Sequence, residues 1–445
     1  MRLTVPPLEI GEDEGFSKDK DIFKRKGFGE QLSNLIENTD GELVIALDAP
    51  WGEGKSTFVK MWRGHLKQKD NGIHTIYFDA FESDHQSSPF LALASEIYNL
   101  LEKKTEKTRF EKKVGSALKT IGKVGLQAGV RILTGVTLNE TTLDAGTQQD
   151  IAASVSNATD KYISDKLKLA SKDKVIIKEF KEYLKDLPPK LSYNGKSIVF
   201  IIDELDRCKP PFALEIVEIV KHLFAVPNIT FVLVMNRTQL EASVRNEYGT
   251  ADASKYLQKF INLYLSLPKV QVSDERTTKV YLRHCVKQME MEGQTPNQNE
   301  WIAMFEELVD HYNLSLREIE RCLTNFSFIR SGIEGNFASF YNWIAVYVCI
   351  IKVKYLEEYN QLSSSKISYI DLFKRTDLTN LVDRNPQDSS AENHNLKWAL
   401  RYCLMDESEH LSFIERGHPF GSLDTITSRN AIKTICQWLD SFRMN

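Results

Sequence analysis

The chain is poor in cysteine, and the few it has are not arranged for chemistry. Its 445 residues hold six, at Cys208, Cys285, Cys322, Cys349, Cys403 and Cys436. They are scattered, with no C-x-x-C pair, which argues against a disulfide frame or a thiolate zinc site and for reduced thiols in or near a core. Long hydrophobic runs are also missing. The longest, Trp343 to Ile351, falls well short of the roughly 18 apolar residues that cross a bilayer, and reads as a buried helix. The opening stretch MRLTVPPLEIGEDEGF lacks the apolar centre of a secretory signal. Neither sign of charge dominates: the net charge is −4, so any basic surface has to be local. There is no internal repeat and no sustained heptad. What remains, 42% hydrophobic and 27% charged residues, is ordinary for a soluble globular protein with room for two or three domains. The expected location is the cytoplasm, with any membrane contact peripheral.

One stretch stands out against this background. Residues 43–62 read LVIALDAPWGEGKSTFVKMW: an apolar run, a turn containing Gly52 and Gly54, then Lys55, Ser56 and Thr57 opening a helical pattern. A strand, a glycine loop and a helix in that order form a phosphate-binding loop. Pro50 and Trp51 open the loop, the backbone N–H groups of Gly52, Glu53, Gly54 and Lys55 point inward at phosphate oxygens, and the helix N-terminus adds partial positive charge. Lys55 is placed for the β- and γ-phosphates and Ser56 for Mg²⁺, with Thr57 beside it. The usual pattern has Gly at the position of Ala49, so the loop has to begin with negative φ there.

Around this stretch the chain alternates strand and helix. Residues 1–20 are polar and read as a lightly ordered lead-in. Helical spacing covers 21–38, β-branched and aromatic residues mark a strand at 73–81, and a helix follows from Phe90 to Leu101. Lys196 to Glu204 (KSIVFIIDE) is a near-continuous apolar run ending in two carboxylates, as a buried parallel strand does. A helix over 211–224 leads to another buried strand, Ile229 to Met235, ending at Asn236. Residues 254–269 read as a helix, and from about 271 onward almost everything has helical spacing, with a loop near 383–393. Strand, crossover helix and strand again mean a parallel α/β sheet. The expected division is 21–101 with 191–270 as the α/β core, 102–190 as a helical insertion, and 271–445 as a C-terminal all-helical domain. The insertion is lysine-rich over 102–138. It reads either as a solvated helical hairpin with one apolar face on the core, or as a basic amphipathic surface touching membrane or nucleic acid.

A phosphate loop alone only binds; hydrolysis also needs a metal anchor and a group that handles water. Asp203, at the end of IVFIID, is placed to hold Mg²⁺. Glu204 is placed to orient or deprotonate the attacking water. Asn236, ending the next strand, has the polarity to bond the γ-phosphate or the water, or to serve as a plain turn residue. Asp206 and Arg207 read as a pair capping the helix that begins near Pro210, or as a trans-acting arginine or an ion pair shaping the site.

With these residues assembled, the chain resembles the KAP family of P-loop NTPases. The likeness is most specific at APWGEGKSTF (49–58) and FIIDELDRC (200–208). It is weaker at DIFKRKGFGEQL (21–32), FDAFESD (78–84), FVLVMNRTQL (231–240), KYLQKFINLYLSLP (255–268) and LREIERCLTNF (316–326). The resemblance implies an ATPase of the additional-strand, catalytic-glutamate type, with ATP and Mg²⁺ as ligands. It makes Lys55 and Ser56 phosphate and metal contacts, Asp203 the metal carboxylate and Glu204 the catalytic acid. It also makes Arg317 a phosphate sensor from the C-terminal helices. Lys259 falls in a stretch the family shares, where it either serves the nucleotide or only packs. The chain departs from the family's habits at Ala49, at Phe81 (usually Trp), at Glu204 (commonly Asp) and at Asn236 (commonly Asp). The implied function is an ATP-hydrolysing molecular switch, in bacteria often part of phage or plasmid exclusion, with an effector or sensor protein as partner and oligomerisation within reach. A nucleotide-gated scaffold with negligible turnover and a nucleic-acid-stimulated ATPase are the alternatives.

Overall fold

A computed structural model describes the chain except for residues 40, 69–72, 87, 135–171, 192–196, 251, 270–275, 294–298, 333–338, 379–390, 408, 411–428 and 442–445. The loop expected near 383–393 therefore lies largely outside the described residues.

Five parallel strands form one sheet in the order β2-β3-β4-β1-β5, with β1 Leu43–Asp48, β2 His74–Asp79, β3 Ile198–Asp203, β4 Ile229–Met235 and β5 Leu263–Ser266. The loop-bearing strand β1 is thus separated from the acid-bearing strand β3 by one inserted strand, β4. Register is fixed by the buried runs: Ile45 lies opposite Val232 on one side and Leu263 on the other, and Asp79 lies opposite Asp203 at the C-terminal edge. Both faces are covered, which is why β1, β3 and β4 are almost uniformly buried.

Alternation within the strands divides the core. Ile45, Leu47, Val199, Ile201, Val232 and Val234 face helices α1 (Lys26–Glu37) and α2 (Lys55–Gln68). Val44, Ala46, Phe200, Ile202, Phe231 and Leu233 face the other layer. That layer holds α3 (Pro89–Leu100), α7 (Pro210–Ile219) and α8 (Arg237–Tyr248). The described ends of the 102–190 segment are α4 (Lys104–Thr134), α5 (172–185) and the short α6 (Pro188–Leu191). They pack on this second layer: Phe180 lies 5.6 Å from both Phe90 and Phe224, ring to ring, and 6.5 Å from Phe110.

Residues 254–269 differ from the helix expected of them. Only α9 (Ala253–Leu257) is helical, and the chain then turns into β5, which pairs with β1. The β1 edge offers unpaired hydrogen-bonding groups, and Leu263 and Leu265 alternate onto the apolar layer, so tertiary pairing overrides local spacing. The preceding stretch, α8, is a helix that local spacing did not mark. Asn236 caps it, accepting from Thr238 N at 3.1 Å.

The C-terminal helices form a second core around the nearly all-buried α13 (Ser339–Lys354). It is packed by α11 (Glu300–His311), α12 (Leu316–Ser331), α14 (Leu356–Ser363), α16 (Ala391–Leu404) and α17 (Ala431–Ser441), with α10 (Thr277–Gln288) on α11 and α12 and α15 (Tyr369–Arg375) on α16. Among the described residues no helix is long and apolar enough to cross a membrane. All six cysteines are free thiols.

Residues 1–20 are held rather than loose. Arg2 N donates to Met289 O at 2.8 Å and Ser327 Oγ to Arg2 O at 3.0 Å, while Phe16 stacks 5.7 Å from Phe58. Val5 packs on the helical core and Phe16 on the α/β core, so this segment laces the α/β layers to the helical domain.

Candidate functional site

The loop after β1 is shaped by backbone. Gly52 and Gly54 have φ of +82° and +77°, which only glycine adopts cheaply. Ala49 is not among the residues with positive φ, as the missing first glycine requires. Ala49 N bonds Met235 O at 3.2 Å, tying the loop's start to β4. Lys55, at the start of α2, is mostly buried, and its Nζ donates to the carbonyls of Ala49 at 2.7 Å and Pro50 at 3.2 Å. Burial pulls its pKa down, against Asp206, Asp203, Glu204 and Asp48, which pull it up.

The tip of β3 is shaped by side chains. Asp203 is 1% exposed, accepts from Tyr77 Oη at 2.8 Å and from the Glu204 N–H at 2.8 Å, and is held above the usual carboxylate range chiefly by burial. Glu204 has φ of +58°, and its Oε1 accepts from Ser56 Oγ at 3.0 Å. Burial and then the neighbouring Asp203 raise its pKa; Arg207 and Ser56 oppose that. Ser56 and the two acids, 147 residues or more away in sequence, thus converge on one point.

Asp206 and Arg207 do not cap the following helix. Its N-cap, Lys209, makes no side-chain cap bond. A single 3-10 turn, Leu205–Arg207, sends both side chains back toward the site. Arg207 pairs with Glu204, and Asp206 accepts from the Trp51 indole N–H on the phosphate loop.

A third wall comes from outside the sheet. A Cβ on Gly52 would lie 2.9 Å from Arg317 Cβ, so the N-terminus of α12 rests on the phosphate loop. That terminus is fixed by a capping box: Ser315 Oγ accepts from Glu318 N, and Glu318 accepts from Ser315 N at 2.7 Å. Between loop, α10, α12 and residues 2–25 lies a cavity of about 800 Å³. It reaches Lys55, Ser56, Thr57, Glu204 and Arg317, and its volume suits a nucleotide. Asn236 lies away from this cavity, with its side chain engaged as the α8 cap. Lys259 packs over the Tyr256 ring, 5.8 Å from its centre.

One site residue carried no signal in the sequence beyond lying in a shared stretch. Arg25, 2% exposed, donates from Nη1 to Glu53 O at 3.0 Å and from Nε to Pro268 O at 3.2 Å, and stacks 4.6 Å over Phe23. It fastens the underside of the phosphate loop to the exit of β5. Burial pushes its pKa down to about 10, against the pull of Glu53 and Asp21. Glu53 is held at its other end by Lys269 at 3.5 Å.

The donor set fits Mg²⁺. A hydroxyl (Ser56) and a buried carboxylate (Asp203) are hard oxygen ligands. No cluster of three or more His, Cys, Asp or Glu side chains able to cage a metal exists among the described residues. Mg²⁺ is usually held this sparsely, with phosphates and waters completing its shell.

A five-stranded parallel sheet, a glycine loop between β1 and α2, and acids at the tip of a strand one removed define a P-loop NTPase core. Residues 25–333 match the model of the KAP family P-loop domain, and the chain belongs to that family. Among curated proteins it is 22% identical to the phage T7 exclusion protein of Escherichia coli K12 over 324 residues, 70% of this chain and 42% of that one. The chain thus spans less than half the length of that relative. An uncharacterized protein of Methanocaldococcus jannaschii is 25% identical over 173 residues, 36% of this chain and 89% of that protein. Two structures of the Aeropyrum pernix ORC2 protein align at a TM-score of 0.36 with 11% and 13% identity, over 95% of this chain and 99% of theirs.

Proposed function

We propose that the protein is a Mg²⁺-dependent ATPase that works as a molecular switch. The observation that carries this is the convergence of Lys55, Ser56 and Glu204 on one cavity edge, with the buried Asp203 bonded to the Glu204 N–H behind it and the α12 terminus and Arg317 resting on the loop from the helical domain. In this reading Ser56 and Asp203 would hold Mg²⁺, and the ion would supply charge compensation for the β- and γ-phosphates. Lys55 leaves the Ala49 and Pro50 carbonyls for phosphate oxygens. Water attacks the γ-phosphorus, the bond to the β–γ bridging oxygen breaks, and the water's proton passes to Glu204. Arg317 ties the nucleotide's state to the helical domain, the element a partner protein reads. The similarity to a phage exclusion protein supports a place in phage defence.

The test is phosphate release from ATP and GTP by the parent, Lys55→Ala and Glu204→Gln. A Glu204→Gln variant that binds ATP but turns over about 10²- to 10⁴-fold more slowly is the expected result. A parent no faster than Lys55→Ala with either nucleotide sinks the enzyme reading and leaves a nucleotide-gated scaffold. For the defence role, plating efficiency of phage on cells with parent or Lys55→Ala protein should differ.

A further inference from the structure

Neither carboxylate oxygen of Glu204 is free. Oε1 accepts from Ser56 Oγ at 3.0 Å, and Oε2 pairs with Nε of Arg207. The backbone at Glu204 is left-handed, with φ of +58°, a conformation that a non-glycine residue keeps only where its surroundings fix it. The 3-10 turn fixes it here: Arg207 N donates to Glu204 O at 3.1 Å, which brings the Arg207 guanidinium back over the acid three residues before it. The same turn carries Asp206, which holds Trp51 on the opposite wall. One short turn therefore sets both the acid and its distance from the phosphate loop.

We infer that Arg207 is a positioning residue for Glu204. The inference rests on the reading of Glu204 as the base. A guanidinium presents its N–H donors in a rigid plane, so the bond to Oε2 fixes the carboxylate's tilt as well as its place. Arg207 thus anchors Oε2, leaving Oε1 as the oxygen turned toward Ser56 and the phosphate loop.

The test is a set of full-length variants: Arg207→Ala, Arg207→Lys, Glu204→Gln and the double Arg207→Ala/Glu204→Gln. Each is measured for kcat and KM with ATP, for ATP affinity by calorimetry, and for melting temperature. A positioning role predicts that Arg207→Ala lowers kcat roughly ten- to hundredfold. KM and ATP affinity stay within about threefold, and Arg207→Lys recovers part of the loss. The double variant is no slower than Glu204→Gln alone, and the melting shifts of the two single changes do not add. Unchanged or faster turnover in Arg207→Ala, a loss confined to KM, or losses that multiply in the double variant overturn the inference. If Arg207→Ala does not fold, Arg207→Lys must itself show the kcat loss. A parent lacking Lys55-dependent turnover overturns the hydrolase reading and this inference with it. A parent that needs Glu204 but ignores Arg207 overturns this inference alone.

Discussion

The two walls of the site are built from different materials. The β1 wall is backbone: two glycines with positive φ, a row of N–H groups, and a lysine that bonds carbonyls. The β3 wall is side chain: Asp203, Glu204 and Arg207 meeting Tyr77 and Ser56. A backbone wall is altered by anything that moves the chain, whether or not the altered residue touches ligand. A side-chain wall is altered one functional group at a time. The first should fail in binding and the second in turnover.

The strongest test of that contrast is Arg25→Ala. It removes a buried cation that holds the carbonyls of Glu53 and Pro268, so about 2–3 kcal/mol of stability is expected to go, together with most ATP binding. Thermal melting and calorimetry read both; a variant that loses turnover but keeps affinity would erase the distinction between the walls. Gly52→Ala comes next. The φ of +82° and the 2.9 Å approach to Arg317 Cβ put its cost near 1–3 kcal/mol, read as roughly ten- to hundredfold weaker ATP binding.

On the other wall, Tyr77→Phe removes the hydroxyl that donates to the buried Asp203. The expected cost is about 1–2 kcal/mol, appearing in kcat and in the Mg²⁺ concentration needed rather than in affinity for ATP without metal. Trp51→Phe cuts the indole bond to Asp206 that joins the walls, but Trp51 is 44% exposed. Its effect should stay below about 1 kcal/mol in both readouts. Away from both walls, Glu215 is a control. Burial and then Glu218 raise its pKa to about 7. Its carboxyl is neutral in the fold where the unfolded chain would already have lost the proton, so stability falls as pH rises through that range. Glu215→Gln should therefore raise the melting temperature slightly at pH 8 and not at pH 4, with turnover unchanged.

Legibility in the sequence followed the range of the interactions. Each buried strand showed as an unbroken apolar run, and the phosphate loop showed because its glycines, Lys55 and Ser56 lie within a few residues of one another. Asp203 and Glu204 showed because burial of β3 ends abruptly in charge. β5 did not: LYLS is short, and what makes it a strand is the free edge of β1. Asp206 and Arg207 were legible as functional residues but not in direction, since a three-residue turn decides whether they face the next helix or the last strand. Arg25 was one basic residue among several, and its partner Pro268 is 243 positions away.

By itself, then, the sequence determined the parallel α/β core, the phosphate loop and the acids facing it, because each is written in neighbouring residues whose periodicity and backbone freedom are local. Only the tertiary structure decided what holds those groups in place. Arg25 under the loop, Arg317 on Gly52, Tyr77 on Asp203 and the shared grip of Ser56 and Arg207 on Glu204 depend on where separate strands and helices come to rest. That is set by the packing of three cores, and no short stretch of chain encodes it.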